Sequence, residues 1–508
     1  MGNYILAHDL GTTGNKATLY DREGNLLASS FYSYPTYYPY PNWVEQNPLD
    51  YWEAVKNSTR ELLVKSKIRP REIAVISFSG QMMGCLPVDR DGKPLRNIII
   101  WADQRGIKEA EFIRDRIGED KVYKTTGHRI SPTYSASKIL WIKRNEPDVF
   151  SQTYKFLLAK DFIVYKLTNR WVTDFSDASG TNLFDLEKEK WSEEIIEALE
   201  ISIDKLPEVH SSLEVVGELT REASSELDLP SGIPIVVGGG DGACAACGAG
   251  VVEEGDAYNY LGASSWIAIA SERPIYDPEM RTFTFHHLEP GLFMPTGTMQ
   301  SAGLSYQWAR DNLAVREKEV AGSFNLSPYE IMDLEAEKIP PGCENLIFLP
   351  YLLGERSPHW NPDARGVFIG LTPRHTRIHL IRAVLEGVGF NLRIILDAFL
   401  AQGVEIKEIR LIGGGGKSRL WSEILANIFE RDILRMKVLE EATSLGSAIA
   451  GGIGVGIFPS LKVVKELVKI RERIKPDTEK ISIYRRIFPV FVEAYKRLTP
   501  IFDKLGGL

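Results

Sequence analysis

Hydrophobic and polar residues alternate near the start of the chain in a way that predicts three short strands. Tyr4–Leu10 has the pattern of a strand, small residues form a turn at 11–14, and a second turn at 21–25 leads into a third strand. A similar strand, turn and returning strand recur at 258–266. Glycine turns let backbone N–H groups approach an anion closely. Two such hairpins predict a duplicated α/β fold that holds nucleotide phosphates between its copies.

The remaining pattern predicts a mixture of helices and buried strands in both halves. Helical spacing covers 50–66, most of 107–206 and 380–400, while short apolar runs predict strands at 73–79, 98–101, 233–237, 346–349 and 409–412. We place the domain boundary between 247 and 255, which gives domains 1–248 and 249–508 separated by a cleft. The residues after about 459 are expected to add helices at the C-terminus.

Three of the predicted strands end in glycine-rich loops. These loops are 80–84, 238–242 and 413–417. In open α/β sheets the ligands bind just beyond strand ends, so each loop is a candidate binding segment. Asp241 is flanked by glycines, and its carboxylate is a candidate catalytic group. The alternative is that Asp241 caps the following helix. The glycines at 413–416 permit close approach of a flat ring such as adenine, or form a flexible loop.

Composition narrows the class of protein without identifying it. The chain has 508 residues, 44% of them hydrophobic and 25% charged, and a net charge of −8, which fits two ordinary globular domains. Scattered basic residues and the lack of a long apolar run argue against nucleic-acid and membrane partners, so a cytoplasmic enzyme with a small-molecule substrate is expected. The chain has only four cysteines, so no framework of disulfide bonds is expected. Cys244 and Cys247 are expected in a tightly packed helix rather than in a zinc site.

Several motifs together resemble the FGGY family of carbohydrate kinases. They are 9–13 (DLGTT), 42–48 (NWVEQNP), 239–242 (GGDG), 349–358 (LPYLLGERSP), 366–371 with 379–386, and 413–417 (GGGGK). The long spacing of the fifth motif is the most specific match, and the P-loop and protein-kinase signatures are absent. The resemblance covers nearly the whole chain. It implies two actin/hexokinase-like (ribonuclease H-like) domains, ATP as co-substrate, and a second copy of the chain as an expected partner, since similar kinases are often dimers.

The resemblance also implies a role for individual residues. Asp241 matches the general base, which accepts the proton of the attacking hydroxyl, and Asp9 matches the residue that holds Mg²⁺. Residues matched to the ATP phosphates are Thr12, Thr13, Gly262, Ala263 and Ser264. Other nucleotide-side matches are Gly303, Gln307, Gly414, Gly415 and Arg419. Residues matched to the sugar are Gln81, Met82, Met83 and Trp101, together with Asp241.

Within the family, segments 79–84 and 173–180 resemble those of D-xylulose kinases, so D-xylulose is the expected substrate and D-xylulose 5-phosphate the product. Two residues depart from the usual pattern: Met83 stands where a His is usual, and Ala263 where a Thr is common. A thioether cannot donate a strong hydrogen bond to a sugar hydroxyl. His8 also precedes Asp9 unusually, and strand alternation places it on the opposite face, as a core residue.

Two other functions stay open at this stage. The first keeps the fold and changes the substrate to gluconate, L-ribulose, another ketose or a polyol. The second is an actin- or chaperone-like ATPase, in which the duplicated hairpins drive a conformational change. The motifs at 239–242 and 366–386 argue against that ATPase, and an ATP turnover that depends strictly on sugar would exclude it.

Overall fold

Two mixed β-sheets organise the chain, and both have the same plan. The computed structural model describes residues 2–437 and 441–507. The first sheet runs in the order β13-β14-β5-β1-β2-β3 and the second in the order β17-β18-β16-β15-β21-β22-β23. Each contains an antiparallel meander, β1-β2-β3 or β15-β16-β18, followed by parallel strands, β5 and β14 or β21 and β22. This repetition confirms the predicted duplicated α/β architecture.

The strands and helices have the following bounds. Strands in the first half are β1 Tyr4–Leu10, β2 Gly14–Tyr20, β3 Leu26–Ser33, β4 Glu45–Gln46, β5 Ile73–Gly80, β6 Leu86–Val88, β7 Ile98–Ile99, β8 Lys155–Leu157, β9 Val172–Asp174, β10 Phe184–Asp185, β11 Lys190–Trp191, β12 Glu208–His210, β13 Val215–Glu218 and β14 Pro234–Gly240. Strands in the second half are β15 Ala257–Leu261, β16 Ser265–Ile269, β17 Phe283–His286, β18 Phe293–Met299, β19 Ile347–Leu349, β20 Val367–Ile369, β21 Glu408–Ile412, β22 Asp432–Met436 and β23 Ile470–Ile474. Helices of the first half are α1 Pro48–Ser66, α2 Ile107–Ile117, α3 Glu119–Thr126, α4 Ser135–Asn145, α5 Pro147–Gln152, α6 Ala159–Thr168, α7 Phe175–Ser179, α8 Glu193–Ala198, α9 Arg221–Leu227 and α10 Asp241–Gly248. Helices of the second half are α11 Gly303–Asn312, α12 Val315–Val320, α13 Pro328–Ala336, α14 Arg377–Ala401, α15 Arg419–Phe429, α16 Ala442–Gly454, α17 Val464–Leu467 and α18 Thr478–Gly506.

Most of the predicted elements are present, and the C-terminal segment differs. Helix α1 begins after Asn47, whose side chain accepts a hydrogen bond from Leu49 N–H, with Pro48 in the first turn. After residue 459 we expected helices, and α17 and α18 are there, but Ile470–Ile474 is an edge strand paired with β22. Three consecutive charged residues separate Ile470 from Ile474 in this strand, and only Ile474 is buried. Such a pattern fits an edge strand exposed on one face.

One helix of the second half packs on the first sheet. Helix α16 contacts β1, β5, β14 and α10, and it is rich in glycine, alanine and serine. A Cβ added at Gly446 would lie 2.0 Å from the Cys244 carbonyl oxygen, and one at Gly248 would lie 1.8 Å from the Ala442 carbonyl oxygen. These small residues therefore let α10 and α16 pack closely, and this packing joins the two halves.

No helix within 2–437 or 441–507 combines the length and the apolar character that a membrane crossing requires.

Candidate active site

A cleft of about 1030 Å³ lies between the two sheets, at the ends of their central strands. Its walls are formed by residues just after β5, β14 and β21 and by the strands β15 to β18. Predicted site residues in its lining are Met82, Met83, Trp101, Asp241, Ser264 and Gly414, and further lining residues include Phe283, Phe285, Thr298, Gln300, Arg356 and Lys417. The strand ends that the sequence singled out thus meet in one cavity.

The first glycine turn joins β1 to β2 and is held from behind by aromatic and amide side chains. Gly11 N–H donates to the Gly14 carbonyl at 3.0 Å, and the Tyr34 hydroxyl donates to the Gly11 carbonyl. Gln46 Nε2 donates to the Thr12 carbonyl at 2.6 Å. These bonds occupy carbonyl groups behind the turn, so its backbone is fixed while Thr13 stays exposed.

The second glycine turn joins β15 to β16 and is fastened to the start of α11. Gly262 N–H donates to the Ser264 carbonyl at 3.0 Å, and Gly303 N–H donates to the Gly262 carbonyl at 2.8 Å. A Cβ at Gly303 would lie 2.2 Å from that carbonyl oxygen, so only glycine fits there. The carbonyl of Ala263 accepts from Ala302 N–H, also at 3.0 Å. Gly303 therefore acts on the hairpin itself, whereas the Gln307 side chain is exposed on α11.

Asp241 lines this cleft, and Asp9 lies near enough for its charge to act on Asp241. Asp241 is the first residue of α10, and Gly240 takes the N-cap position, so the alternative that Asp241 caps the helix is wrong. Burial, and after it the charge of Asp9, together raise the pKa of Asp241 to about 7, against the opposing effect of a hydrogen bond from Gly242 N–H. Burial also raises the pKa of Asp9 to about 6, against the opposing influence of Ser79 and Lys16. A carboxylate titrating near neutrality is suited to accepting a proton from a hydroxyl.

Asp9 also has the character of a cation ligand. Its Oδ1 is buried and, within the described residues, has no hydrogen-bond partner. Those residues contain no group of three or more His, Cys, Asp or Glu that could form a complete protein cage for a metal. Mg²⁺ commonly binds one or two carboxylates together with substrate phosphates and water, so a single carboxylate next to the glycine turn at 11–14 fits this ion.

Comparison with known proteins decides the family. A family model described as the FGGY family of carbohydrate kinases, N-terminal domain, matches residues 4–248, and the C-terminal domain model of the same family matches residues 257–455. The chain belongs to the FGGY family of carbohydrate kinases. It is an ATP-dependent phosphotransferase, and the actin- or chaperone-like ATPase is excluded as a description of the whole chain.

Individual relatives of this kinase divide between two substrates. The gluconokinase of Bacillus subtilis is 32% identical over 100% of this chain and 99% of its own. The xylulose kinase of Staphylococcus epidermidis is 33% identical over 97% and 96%. A crystal structure of ligand-bound xylulose kinase from Lactobacillus acidophilus has a TM-score of 0.92, with 29% identity and 99% of both chains covered. The fold of the kinase is therefore shown, and similarity alone leaves its sugar open.

The loop at 81–83, which we expect to face the sugar, has its two methionines in the cleft lining and its glutamine in the protein interior. Gln81 is 2% exposed, and its Nε2 donates to Gln46 Oε1 at 2.8 Å and to the Tyr51 hydroxyl at 3.2 Å. Met82 and Met83 line the cavity instead. Gln81 thus fastens the loop to the first glycine turn through Gln46, a role that the sequence did not reveal.

Met83 has an unusual backbone conformation. Its φ is +63°, in the left-handed region, and its carbonyl accepts a hydrogen bond from Lys138 Nζ at 2.6 Å. Lys138 is fully buried, and burial lowers its pKa to about 7. Trp101 also lines the cleft. It is 38% exposed, and its Nε1 donates to Thr12 Oγ1 at 3.0 Å. That bond links Trp101 to the turn between β1 and β2.

The predicted nucleotide-side residues after β21 have different positions. Gly414 lines the cleft, and a Cβ there would meet no atom within 4 Å. Gly415 packs against Leu261, because an added Cβ would lie 2.4 Å from its Cγ. Arg419 is directed away from the cleft lining, with its guanidinium bound to Glu472 at 3.1 Å and to Glu423. Nucleotide contact by Gly415 and Arg419 stays a prediction.

Three residues singled out in the sequence are structural. His8 is 1% exposed, its Nδ1 accepts a hydrogen bond from Asn15 Nδ2 at 3.0 Å, and its ring stacks on Phe78. Burial lowers its pKa to about 3, which keeps it neutral. Cys244 and Cys247 are buried free cysteines in α10. The expectation of a core histidine and of packed cysteines is confirmed.

Proposed function

We propose that this kinase transfers the γ-phosphoryl group of ATP to a hydroxyl of D-xylulose and releases D-xylulose 5-phosphate and ADP. The observation that supports this most directly is one cleft whose lining includes Asp241, the sugar-side candidates Met82 and Met83, and Ser264 of the second glycine turn. The xylulose kinases among its relatives and the D-xylulose-kinase pattern of segments 79–84 and 173–180 support the choice of sugar.

In this proposal Asp241 accepts the proton of the attacking hydroxyl. The hydroxyl oxygen forms a bond to the γ-phosphorus, the bond from that phosphorus to the β,γ-bridging oxygen breaks, and ADP leaves with the electron pair. Backbone N–H groups and hydroxyls of the two turns, at Thr12, Thr13 and 262–264, hold the phosphate oxygens. Positioning and electrostatic stabilisation supply most of the rate enhancement in such transfers.

Asp9 would hold Mg²⁺ in the same proposal. The ion, when bound, neutralises charge on the phosphate oxygens. Asp9 follows His8 on β1, so strand alternation puts its side chain on the face opposite the buried His8. In this proposal the domain 1–248 binds the sugar and the domain 249–508 binds the nucleotide.

Gluconate is the second candidate substrate, and Arg356 is the observation that favours it. Its guanidinium lies in the cleft lining, over the rings of Phe283 and Trp360 at 5.9 and 5.8 Å. Among the ion pairs of the described residues, none includes Arg356. A guanidinium binds a carboxylate well through paired N–H donors, and gluconate carries a carboxylate that D-xylulose lacks.

Replacement of the base tests the proposed chemistry. Asp241→Asn keeps the shape of the side chain but cannot accept the proton, so we expect kcat to fall by about 10²–10⁴-fold while ATP still binds. The measurement is ADP release with D-xylulose, with nucleotide binding followed by calorimetry. Asp204→Asn, an exposed carboxylate outside the cleft, is the matched control. Parental activity in Asp241→Asn would remove this residue from the proposed role.

A further inference from the structure

A buried charge cluster lies behind the active-site strand ends. Lys160 Nζ is 3.1 Å from Asp161 Oδ1, 3.1 Å from Asp174 Oδ1 and 3.3 Å from Asp177 Oδ2, and all four side chains have no exposed surface. Burial opposes the charge on Lys160, yet the three carboxylates raise its pKa above the ordinary value. Burial raises the pKa of Asp177 as well. Burying charged groups costs free energy, and apolar residues in place of a buried ion pair are often equally stable, so a stabilising role alone does not account for this cluster.

The cluster is connected to Asp241 by hydrogen bonds through a serine. Asp174 Oδ2 accepts from Ser212 Oγ at 2.7 Å, from Ser176 N–H at 2.9 Å and from the Ser176 hydroxyl. Ser176 Oγ in turn accepts from Gly240 N–H at 2.9 Å. Asp241 is the next residue. Because the hydroxyl proton of Ser176 goes to Asp174, its lone pairs are left to face the Gly240 N–H.

Space around this connection is fully used. A Cβ at Gly239 would lie 2.9 Å from Ser176 Oγ, and one at Gly240 would lie 2.7 Å from Met82 Sδ. Gly240 therefore lies between Ser176 on one side and Met82 of the cleft lining on the other. A small displacement of Ser176 would be passed to the peptide that carries Asp241, since close-packed groups leave no slack.

The same cluster also contacts the sugar-side strand. Gly240 pairs with Gly80 in the first sheet, and a Cβ at Gly80 would lie 2.9 Å from Lys160 Cβ. Lys160 thus lies below the two strand ends from which the sugar-side loop and Asp241 emerge.

We propose that Ser176, held by Asp174 and Lys160, is a positioning residue that sets the orientation of the Asp241 carboxylate for phosphoryl transfer. The proposal rests on the role given to Asp241 above. Ser176 touches neither substrate nor nucleotide in this account; it acts through the Gly240 peptide. Misplacement of a reacting group by an ångström reduces rates by up to about 10²-fold, so loss of this hydroxyl is expected to be measurable.

The test measures Ser176→Ala in two backgrounds, with Asp241 present and with Asp241→Asn. With Asp241 present we expect kcat to fall about tenfold, while the KM values for D-xylulose and ATP stay close to the parent, since a positioned base acts in the transition state. In the Asp241→Asn background the residual rate should change less than about twofold, because the group being positioned is gone.

Thr181→Val is the matched control. Thr181 is also buried, and its hydroxyl bonds only within its own segment, to the Ala178 carbonyl and from Leu183 N–H. This variant should keep the parental kcat and its dependence on Asp241. Thermal denaturation of each variant measures any change in folding separately.

Ser212→Ala provides a second route if Ser176→Ala does not fold. It removes one hydrogen bond to Asp174 but leaves the Gly240 N–H paired, so a smaller decrease in kcat is expected, again only with Asp241 present. An equal decrease in both backgrounds, a rise in KM without loss of kcat, or parental rates would overturn the positioning role. Full activity of Asp241→Asn alone would instead contradict the proposed function.

Discussion

At the residue scale, the carboxylates of Asp9 and Asp241 are coupled. Burial and the charge of Asp9 together raise the pKa of Asp241 to about 7. A base with this pKa is partly protonated at neutral pH. The activity of the kinase should therefore depend on pH within the physiological range.

The pH profile tests this coupling. Asp241 must be ionised to accept a proton, so kcat/KM is expected to fall as the pH drops through about 7. Steady-state rates between pH 5 and pH 9 measure this fall, with the exposed Asp204→Asn as control. Asp9→Asn removes a negative neighbour, so in the protein without Mg²⁺ the pKa of Asp241 should be lower in this variant than in the parent. An NMR titration of the Asp241 carboxyl group in metal-free protein measures that pKa, and an unmoved value would contradict the coupling.

Met83 lines the cleft at a position where the D-xylulose-kinase pattern leads us to expect a His. Its left-handed backbone is a conformation that histidine tolerates better than most side chains. Met83→His should therefore fold, and it would restore a hydrogen-bonding group to the pocket. A neutral hydrogen bond contributes about 0.5–1.5 kcal/mol, so we expect a several-fold rise in kcat/KM for D-xylulose.

The ATP KM should stay close to parental in Met83→His, because Met83 lies on the sugar side. Met83→Leu is the control that keeps an apolar side chain without the new donor. If Met83→His leaves the ranking of sugars unchanged, the loop at 81–83 does not select the sugar.

At the element scale, the crossing of α10 and α16 depends on glycine. Gly446 and Gly248 allow the backbones to touch, and an added methyl group at either would meet a carbonyl oxygen of the other helix. Helix α10 carries Asp241 at its first turn, so this packing also bears on the site.

Gly446→Ala should destabilise the fold. The methyl group would lie 2.0 Å from the Cys244 carbonyl oxygen, and overpacking of this kind costs about 1–3 kcal/mol. Gly322→Ala is the control, since its added Cβ meets nothing within 4 Å and its φ is not positive. Urea denaturation measures the free energy of unfolding of both variants. Equal stabilities would mean that the helices can move apart without cost.

Elements differ in how far the sequence predicts them, and the reasons are physical. The glycine hairpins and the strand ends depend on local backbone freedom, so the pattern predicts them. Strand β23 was missed because an edge strand such as Ile470–Ile474 buries few residues and shows little apolar signal. The left-handed Met83 and the inward-turned Gln81 are set by Lys138, Gln46 and Tyr51, which are distant in sequence.

At the scale of the whole molecule, two copies of one sheet plan face a shared cleft, and neither copy contains the site by itself. The first half supplies Asp9 on β1 and Asp241 directly after β14, and the second half supplies the turn at 262–264 and Gly414. The sequence predicts this duplication, since each hairpin is visible separately. It does not predict that α16 crosses to the first sheet, because that contact depends on the tertiary arrangement.

The most direct test of the account is ADP release from the intact kinase with saturating Mg²⁺ and ATP across D-xylulose, L-ribulose, gluconate and glycerol. The account predicts turnover that requires an acceptor and is fastest with D-xylulose. Turnover of similar rate without any acceptor, or turnover with gluconate and none with D-xylulose, would contradict it.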